Sequence, residues 1–119
     1  MKNDIITMTA QVVQQMQRYP VIGTKPWNYE TAAKDLAYQV GSLTKCIMQL
    51  QGERYAHGLS PEEIKQNIGN ELADILSEVL FIAHELNIDI QESWDGMLEG
   101  DERKFLQYKG PQISEPHSS

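Results

Sequence analysis

Apolar residues recur every three or four positions along four stretches of the chain, and no segment shows the alternation of a strand. The first stretch carries Ile5, Ile6, Met8, Val12, Val13 and Met16, with Asn3 or Asp4 as its cap, and it ends before Pro20. "PVIGTKPW" then punctuates the chain with two prolines and a glycine. Asn28 can cap a second helix whose stripe is Leu36, Val40, Leu43, Ile47 and Leu50. Gly41 inside it costs about 1 kcal/mol relative to alanine, which a close helix crossing or ordinary tolerance would explain equally well. "GERYAHGL" breaks the pattern before "SPEE", where Ser60, Pro61 and Glu63 spell a capping box. The third helix runs from there to near Asn87 with the stripe Ile64, Ile68, Leu72, Ile75, Val79, Ile82 and Leu86. A fourth starts at Asp89 and carries Ile90, Trp94, Leu98 and Phe105. The pattern predicts an all-α fold, a compact bundle of about four helices, over residues 1–109. Its centre is expected where Leu36, Val40 and Leu43 meet Leu72, Ile75 and Val79 between the two long helices. The tail 110–119, "GPQISEPHSS" from Gly110, has no core-forming pattern and is expected to be disordered.

One row breaks the apolar character of the third helix. Glu71, Asp74, Glu78 and Glu85 fall within a sector of about 60° that borders its apolar stripe. Carboxylates so close together at the edge of a core repel one another, and one or more is pushed toward protonation. A hard divalent cation such as Mg²⁺ relieves that repulsion with the oxygen ligands it prefers. The plainer alternative is a solvated row whose members pair with lysines, and Glu85, the outermost, is expected to be solvated in either case.

The bulk composition narrows the partners. At 119 residues the chain is the size of one domain, and seventeen acidic against ten basic residues leave a net charge of -7. That balance argues against nucleic acid as the main partner and suits a protein that gathers cations. Cys46 is the lone cysteine, so no internal disulfide and no cysteine-based zinc site can form. No signal-peptide core and no bilayer-length apolar run are present, so a cytoplasmic protein without a membrane role is expected.

Several chemistries fall away on spacing. "HELNI" opens like a zinc-protease helix, but Ile88 stands where the second histidine belongs. Phe81 lies three residues before His84, so the Glu-x-x-His pair of di-iron bundles is missing. There is no phosphate-binding glycine loop and no nucleophile elbow, and His57, His84 and His117 are scattered.

"NELADILSEVLFIAHELNIDI" resembles the second half of the MazG-like domain of the all-α nucleoside triphosphate pyrophosphatases. The resemblance extends from about Trp27 to Phe105. That family pairs a glutamate-rich motif on one helix with Glu-x-x-Asp on the next, and Glu71 and Asp74 match the second motif. The first motif, Leu-x-Glu-Glu-x-Gly-Glu-Leu in the family, reads "LAYQVGSL" here. Leu36, Gly41 and Leu43 hold its frame, while Tyr38, Gln39 and Ser42 replace the three glutamates. Asp35 shares a helical sector with Gln39 and Ser42 and can substitute in part. Downstream, Met97 and Asp101 stand where the family has lysine and asparagine, and Lys104 keeps a basic residue.

The resemblance implies Mg²⁺-dependent hydrolysis of a nucleoside triphosphate, including non-standard ones, to the monophosphate and pyrophosphate. Glu71 and Asp74 would be the catalytic metal ligands, joined by Glu78 and Asp35. Gln39, Ser42, Lys45, Arg54, Asp101 and Lys104 are the candidates for contact with the nucleotide. The loss of the first glutamate motif weakens the metal site and opens the other reading, a catalytically inactive relative that binds a nucleotide or a protein. A homodimer or homotetramer is expected, from the family and from an apolar third helix too wide for one small chain to cover.

Overall fold

Each helix begins at a side chain that satisfies its first free backbone N–H groups. The computed structural model describes residues 4–18, 20 and 23–108, so Asn3 and the tail 110–119 lie outside the described residues. Four helices result: α1 (Ile5–Met16), α2 (Tyr29–Leu50), α3 (Pro61–Glu85) and α4 (Ile90–Gln107). The Asp4 carboxylate accepts from the Thr7 backbone N–H at 2.8 Å, and the Asn28 side chain accepts from that of Thr31 at 2.9 Å. At α3 the capping box closes reciprocally: Glu63 N–H donates to Ser60 Oγ at 3.2 Å, and Ser60 N–H donates to Glu63 Oε1 at 2.9 Å. Asp89 caps α4 by accepting from Glu92 N–H at 3.0 Å. Among the described residues there is no strand, so the fold is all-α.

The ends of the two long helices are equally local. Gly52 follows α2 with φ of 78°, and Asn87 follows α3 with φ of 56°. Both occupy the left-handed position at which a helix turns back on itself. Glu53 N–H then donates to Met48 O at 2.8 Å, and Ile88 N–H to Ala83 O at 2.8 Å, which satisfies carbonyls the helix leaves free. Asparagine tolerates this conformation better than other non-glycine residues, which explains "ELNIDI" as a helix stop.

Two compact units make up the chain, Met1–Ile88 and Asp89–Ser119. In the first, α3 packs against both α2 and α1. Its core cluster is Met16 from α1, Ala32 from α2 and Phe81 from α3, with Val12, Val13, Trp27 and Ile82 packed against it. In the second unit α4 is an amphipathic helix with no buried residue, and Trp94, Leu98 and Phe105 are exposed. No helix among the described residues is long and apolar enough to cross a membrane.

The expected centre between α2 and α3 needs correction. Val40 is 46% and Leu72 51% exposed, while Leu36, Leu43, Ile75 and Val79 are half-buried. The row of α2 that faces α3 is instead Ala32, Asp35, Gln39, Ser42, Cys46 and Gln49, spaced alternately by three and four. Contacts fix the register: Ser42 meets Glu71, and seven residues back Asp35 meets Glu78 seven residues on, so the helices run antiparallel. Continued, the same register sets Gln49 level with Ile64, both buried, and Ala32 level with Phe81. The apolar stripe of α2 lies about a quarter-turn away from this seam.

Replacing Phe81 by alanine should cost about 3–5 kcal/mol of unfolding free energy, because its cavity opens in the middle of the cluster. Ser60→Ala should cost only about 1 kcal/mol, the value of a lost cap. Urea unfolding followed by circular dichroism measures both, and a Phe81→Ala loss no larger than that of Ser60→Ala would refute this core.

Candidate functional site

The antiparallel register brings the predicted acidic residues into one seam. Asp35, Gln39 and Ser42 rise from α2 at spacings of four and three; Glu71, Asp74 and Glu78 rise from α3 at spacings of three and four. Ser42 Oγ donates to Glu71 Oε2 at 2.7 Å across the helices. Gln39 Nε2 donates to Asp35 Oδ2 at 3.2 Å along α2. Asp35 also shares a side-chain hydrogen bond with Glu78. The two neutral residues of the seam therefore hold two of its carboxyl groups in place.

Burial is what makes the seam unusual. Glu78 is 3% exposed, and among the described residues no ion pair reaches it. Its carboxyl is pushed up to about 8, first by burial, then by the hydrogen bond to Asp35 and by the charges of Asp35 and Asp74. Asp74, at the exposed rim, is also raised, by desolvation and by Glu71 and Asp35. Near neutral pH Glu78 thus keeps a proton, which lets it donate to Asp35 where two carboxylates would repel. Even so, Oε1 of Glu78 and Oε1 of Glu71 are buried and accept no hydrogen bond. Two orphaned acceptor oxygens on one seam are an unusual pairing, since buried acceptors are nearly always satisfied.

The lysine pairing of the plainer alternative is not seen in the seam among the described residues. Among the described residues the one side-chain ion pair joins Arg103 to Glu99 on α4, 3.9 Å apart and exposed. Glu85 is exposed, as its place beyond the others suggests. Lys45 on α2 and Arg54 in the loop 51–59 are exposed, and neither is paired with a carboxylate among the described residues. Asp101 and Lys104 lie on α4 in the second unit and are exposed there. The structure gathers Asp35, Gln39, Ser42, Glu71, Asp74 and Glu78 in one seam; Lys45 and Arg54 are exposed outside it in the first unit, and Asp101 and Lys104 belong to the second.

Hard oxygen donors without partners are the chemistry that Mg²⁺ requires. Among the described residues, however, no three acidic, histidine or cysteine side chains stand together as a finished ligand set. The seam offers donors of the right kind in side-chain positions that would have to close around an ion.

Two seam residues carry a signal that the apolar stripe hides. Gln49 is buried and donates from Nε2 to the Tyr55 carbonyl at 3.1 Å, tying the end of α2 to the following loop. Cys46 is buried beside it in the seam row. The heptads Asp35–Ser42–Gln49 and Ile64–Glu71–Glu78 are visible in the sequence as seven-residue steps, and they mark the contact face.

The raised Glu78 has a signed consequence for stability. A carboxyl whose folded pKa exceeds its ordinary 4.5 binds its proton more tightly in the folded chain. Its contribution is full below about 4.5 and is lost as pH rises toward about 8. In the absence of divalent ions, stability should fall by up to about 1.4 kcal/mol per pH unit across that window, with Asp74 acting in the same direction. Glu78→Gln keeps the donor toward Asp35 without the titration, so it should flatten the slope and melt higher than the wild type at pH 8. Thermal melts from pH 5 to 8.5 test this; parallel curves for the two proteins would contradict it.

No protein-family model, no curated protein and no solved structure matches the chain, so the grounds for a function are the residues of this seam and their chemistry.

Proposed function

We propose that the seam between α2 and α3 binds Mg²⁺ and that the chain hydrolyses a nucleoside triphosphate to the monophosphate and pyrophosphate, in the manner of the MazG-like domains its sequence resembles. The observation that supports this most directly is the pair of buried, unpartnered oxygens on Glu71 and Glu78, flanked by Asp74 and Asp35, with no ion pair to any of the four among the described residues. Glu71, Glu78 and Asp74 would hold the ion, and Asp35 would complete the set. When bound, Mg²⁺ supplies charge neutralisation for the triphosphate and acidifies water.

The chain's own groups have distinct tasks in this reading. Ser42 orients Glu71 through Oε2, which leaves Oε1 free to serve as a ligand. Gln39 orients Asp35 in the same way. Glu78, protonated near neutral pH without the ion, would give up that proton on becoming a ligand. Lys45 and Arg54, exposed and with no carboxylate partner among the described residues, would be available to phosphate oxygens.

One observation favours the second reading, a nucleotide- or protein-binding module without turnover. Gln39 and Ser42 stand where the resemblance would place glutamates, and both are hydrogen-bonded to the carboxyl groups that remain. A seam closed by its own neutral side chains can persist without an ion.

Millimolar Mg²⁺ should raise the melting temperature by several degrees, because a ligand bound only by the folded chain stabilises by RT ln(1 + [L]/Kd). Asp74→Asn should remove that gain and at least a hundredfold, on the order of 3 kcal/mol, of pyrophosphate release from a panel of nucleotides. Melts that ignore the ion, together with no turnover on any nucleotide, would overturn the enzyme and leave the binding module. Asp74→Asn would then melt at or above the wild type, since it relieves the repulsion on Glu78.

A further inference from the structure

At the end of α2 the seam runs into a loop that its own residues hold in place. Gln49, seven residues after Ser42 on the contact face of α2, is buried and donates its amide N–H to the Tyr55 carbonyl at 3.1 Å. The loop 51–59 is closed further by Glu53 N–H to Met48 O at 2.8 Å and by Leu59 N–H to Ala56 O at 3.0 Å. His57 takes a left-handed φ of 55°, and Gly58 follows at 81°. A histidine keeps that conformation where the surrounding structure imposes it, and such positions gather at functional sites. Above these anchors the rings of Tyr55 and His57 stand 4.5 Å apart, tilted by 59°, and Tyr55 is 73% exposed. Tyr55 keeps most of its surface in water, so its own burial does not account for the anchoring beneath it.

Three kinds of chemistry follow one another along the helix pair. The antiparallel register sets Glu71 level with Ser42 and Asp74 level with Gln39. Lys45 lies three residues beyond Ser42, as Asp74 lies three beyond Glu71. In antiparallel helices an equal rotation from the seam reaches the same side, so Lys45 and Asp74 border the same mouth of it. Gln49 and the loop it holds lie about 10 Å beyond Ser42, at 1.5 Å of rise per residue. Arg54 precedes Tyr55 in that loop and is exposed, and neither it nor Lys45 has a carboxylate partner among the described residues. Oxygen donors, then cations, then an aromatic pair is the order of ion, phosphates and base in a nucleotide complex.

We propose that the Tyr55–His57 pair is the platform on which the base of the nucleotide stacks, and that the nucleotide is a purine one. The inference rests on the reading of the seam as a nucleotide site. A phenol ring attracts the face of any base through offset stacking, whatever the hydrogen-bonding pattern on its edge. A purine covers more of the ring than a pyrimidine and gains more from it. His57 supports the Tyr55 ring and offers one N–H and one acceptor nitrogen to the polar edge of the base. Lys45 and Arg54 take the phosphates that span the distance between the ion and the base. At about 10 Å of helix from Ser42 the rings lie beyond reach of the ion, so Tyr55 and His57 determine specificity and leave the bond that breaks to the seam.

Calorimetry in the presence of Mg²⁺ compares two probes. One is the α,β-methylene analogue of adenosine triphosphate, which resists cleavage at that position; the other is inorganic triphosphate, which has no base. The analogue should bind the unmodified chain about tenfold more tightly than inorganic triphosphate. Tyr55→Ala should remove that difference and leave the affinity for inorganic triphosphate unchanged, whereas Tyr55→Phe keeps the ring and the affinity. The side chain is mostly exposed, so neither substitution should move the melting temperature. The matching uridine analogue should bind several-fold more weakly than the adenosine one. Asp74→Asn should weaken both probes together, because it acts on the ion. If Asp74→Asn does so while Tyr55→Ala weakens neither probe, or both alike, the platform is overturned and the seam stands. If neither probe binds the unmodified chain, the nucleotide reading of the seam fails and the platform with it. A uridine analogue bound as tightly as the adenosine one overturns the purine assignment.

Discussion

A hydrogen-bonded acidic seam sets the arrangement of the first unit. Glu78 is buried at a helix contact where an apolar side chain would ordinarily stand, and it is tolerable there because Asp35 meets it in register. The proton that Glu78 retains turns what would be repulsion into a hydrogen bond. Ser42 and Glu71 repeat the contact seven residues along, so the register is fixed at two points by directional bonds. A slip of one residue would leave four polar groups unpaired in a half-buried seam, and apolar packing alone carries no comparable penalty.

The apolar stripe of α2 is excluded from this contact as a consequence. If Leu36, Val40 and Leu43 had met Leu72 and Ile75, the carboxyl groups would have been turned to solvent. Instead the polar row takes the interior of the helix pair, and Val40 and Leu72 are left outside. Stability within the first unit rests on α3: Phe81 and Ile82 pack with Met16 and Ala32, and Leu80 and Ala83 are buried as well. Cores that hold charged groups are commonly less stable than apolar ones of the same volume. The acidic seam and the exposed apolar residues Val40 and Leu72 lie on different sides of the same two helices.

Local residue chemistry by itself determined the elements. Asp4, Asn28, Ser60 and Asp89 start the helices because their side-chain oxygens reach free N–H groups three residues on, an interaction that needs nothing beyond one turn of chain. Gly52 and Asn87 stop the two long helices for an equally local reason. The Glu71–Asp74–Glu78 row was legible too, since one helix's geometry places them on one face. Which of α2's two rows would face α3 was decided only in the tertiary structure. Both rows have helical spacing, and hydrophobicity favoured Leu36–Val40–Leu43 over Asp35–Gln39–Ser42. The choice went to the row whose hydrogen bonds close across the antiparallel pair, a property of residues 29 and 43 positions apart that no local pattern contains. The burial of Glu78 and the height of its pKa follow from that choice, because both depend on which neighbour excludes water and which one shares the proton.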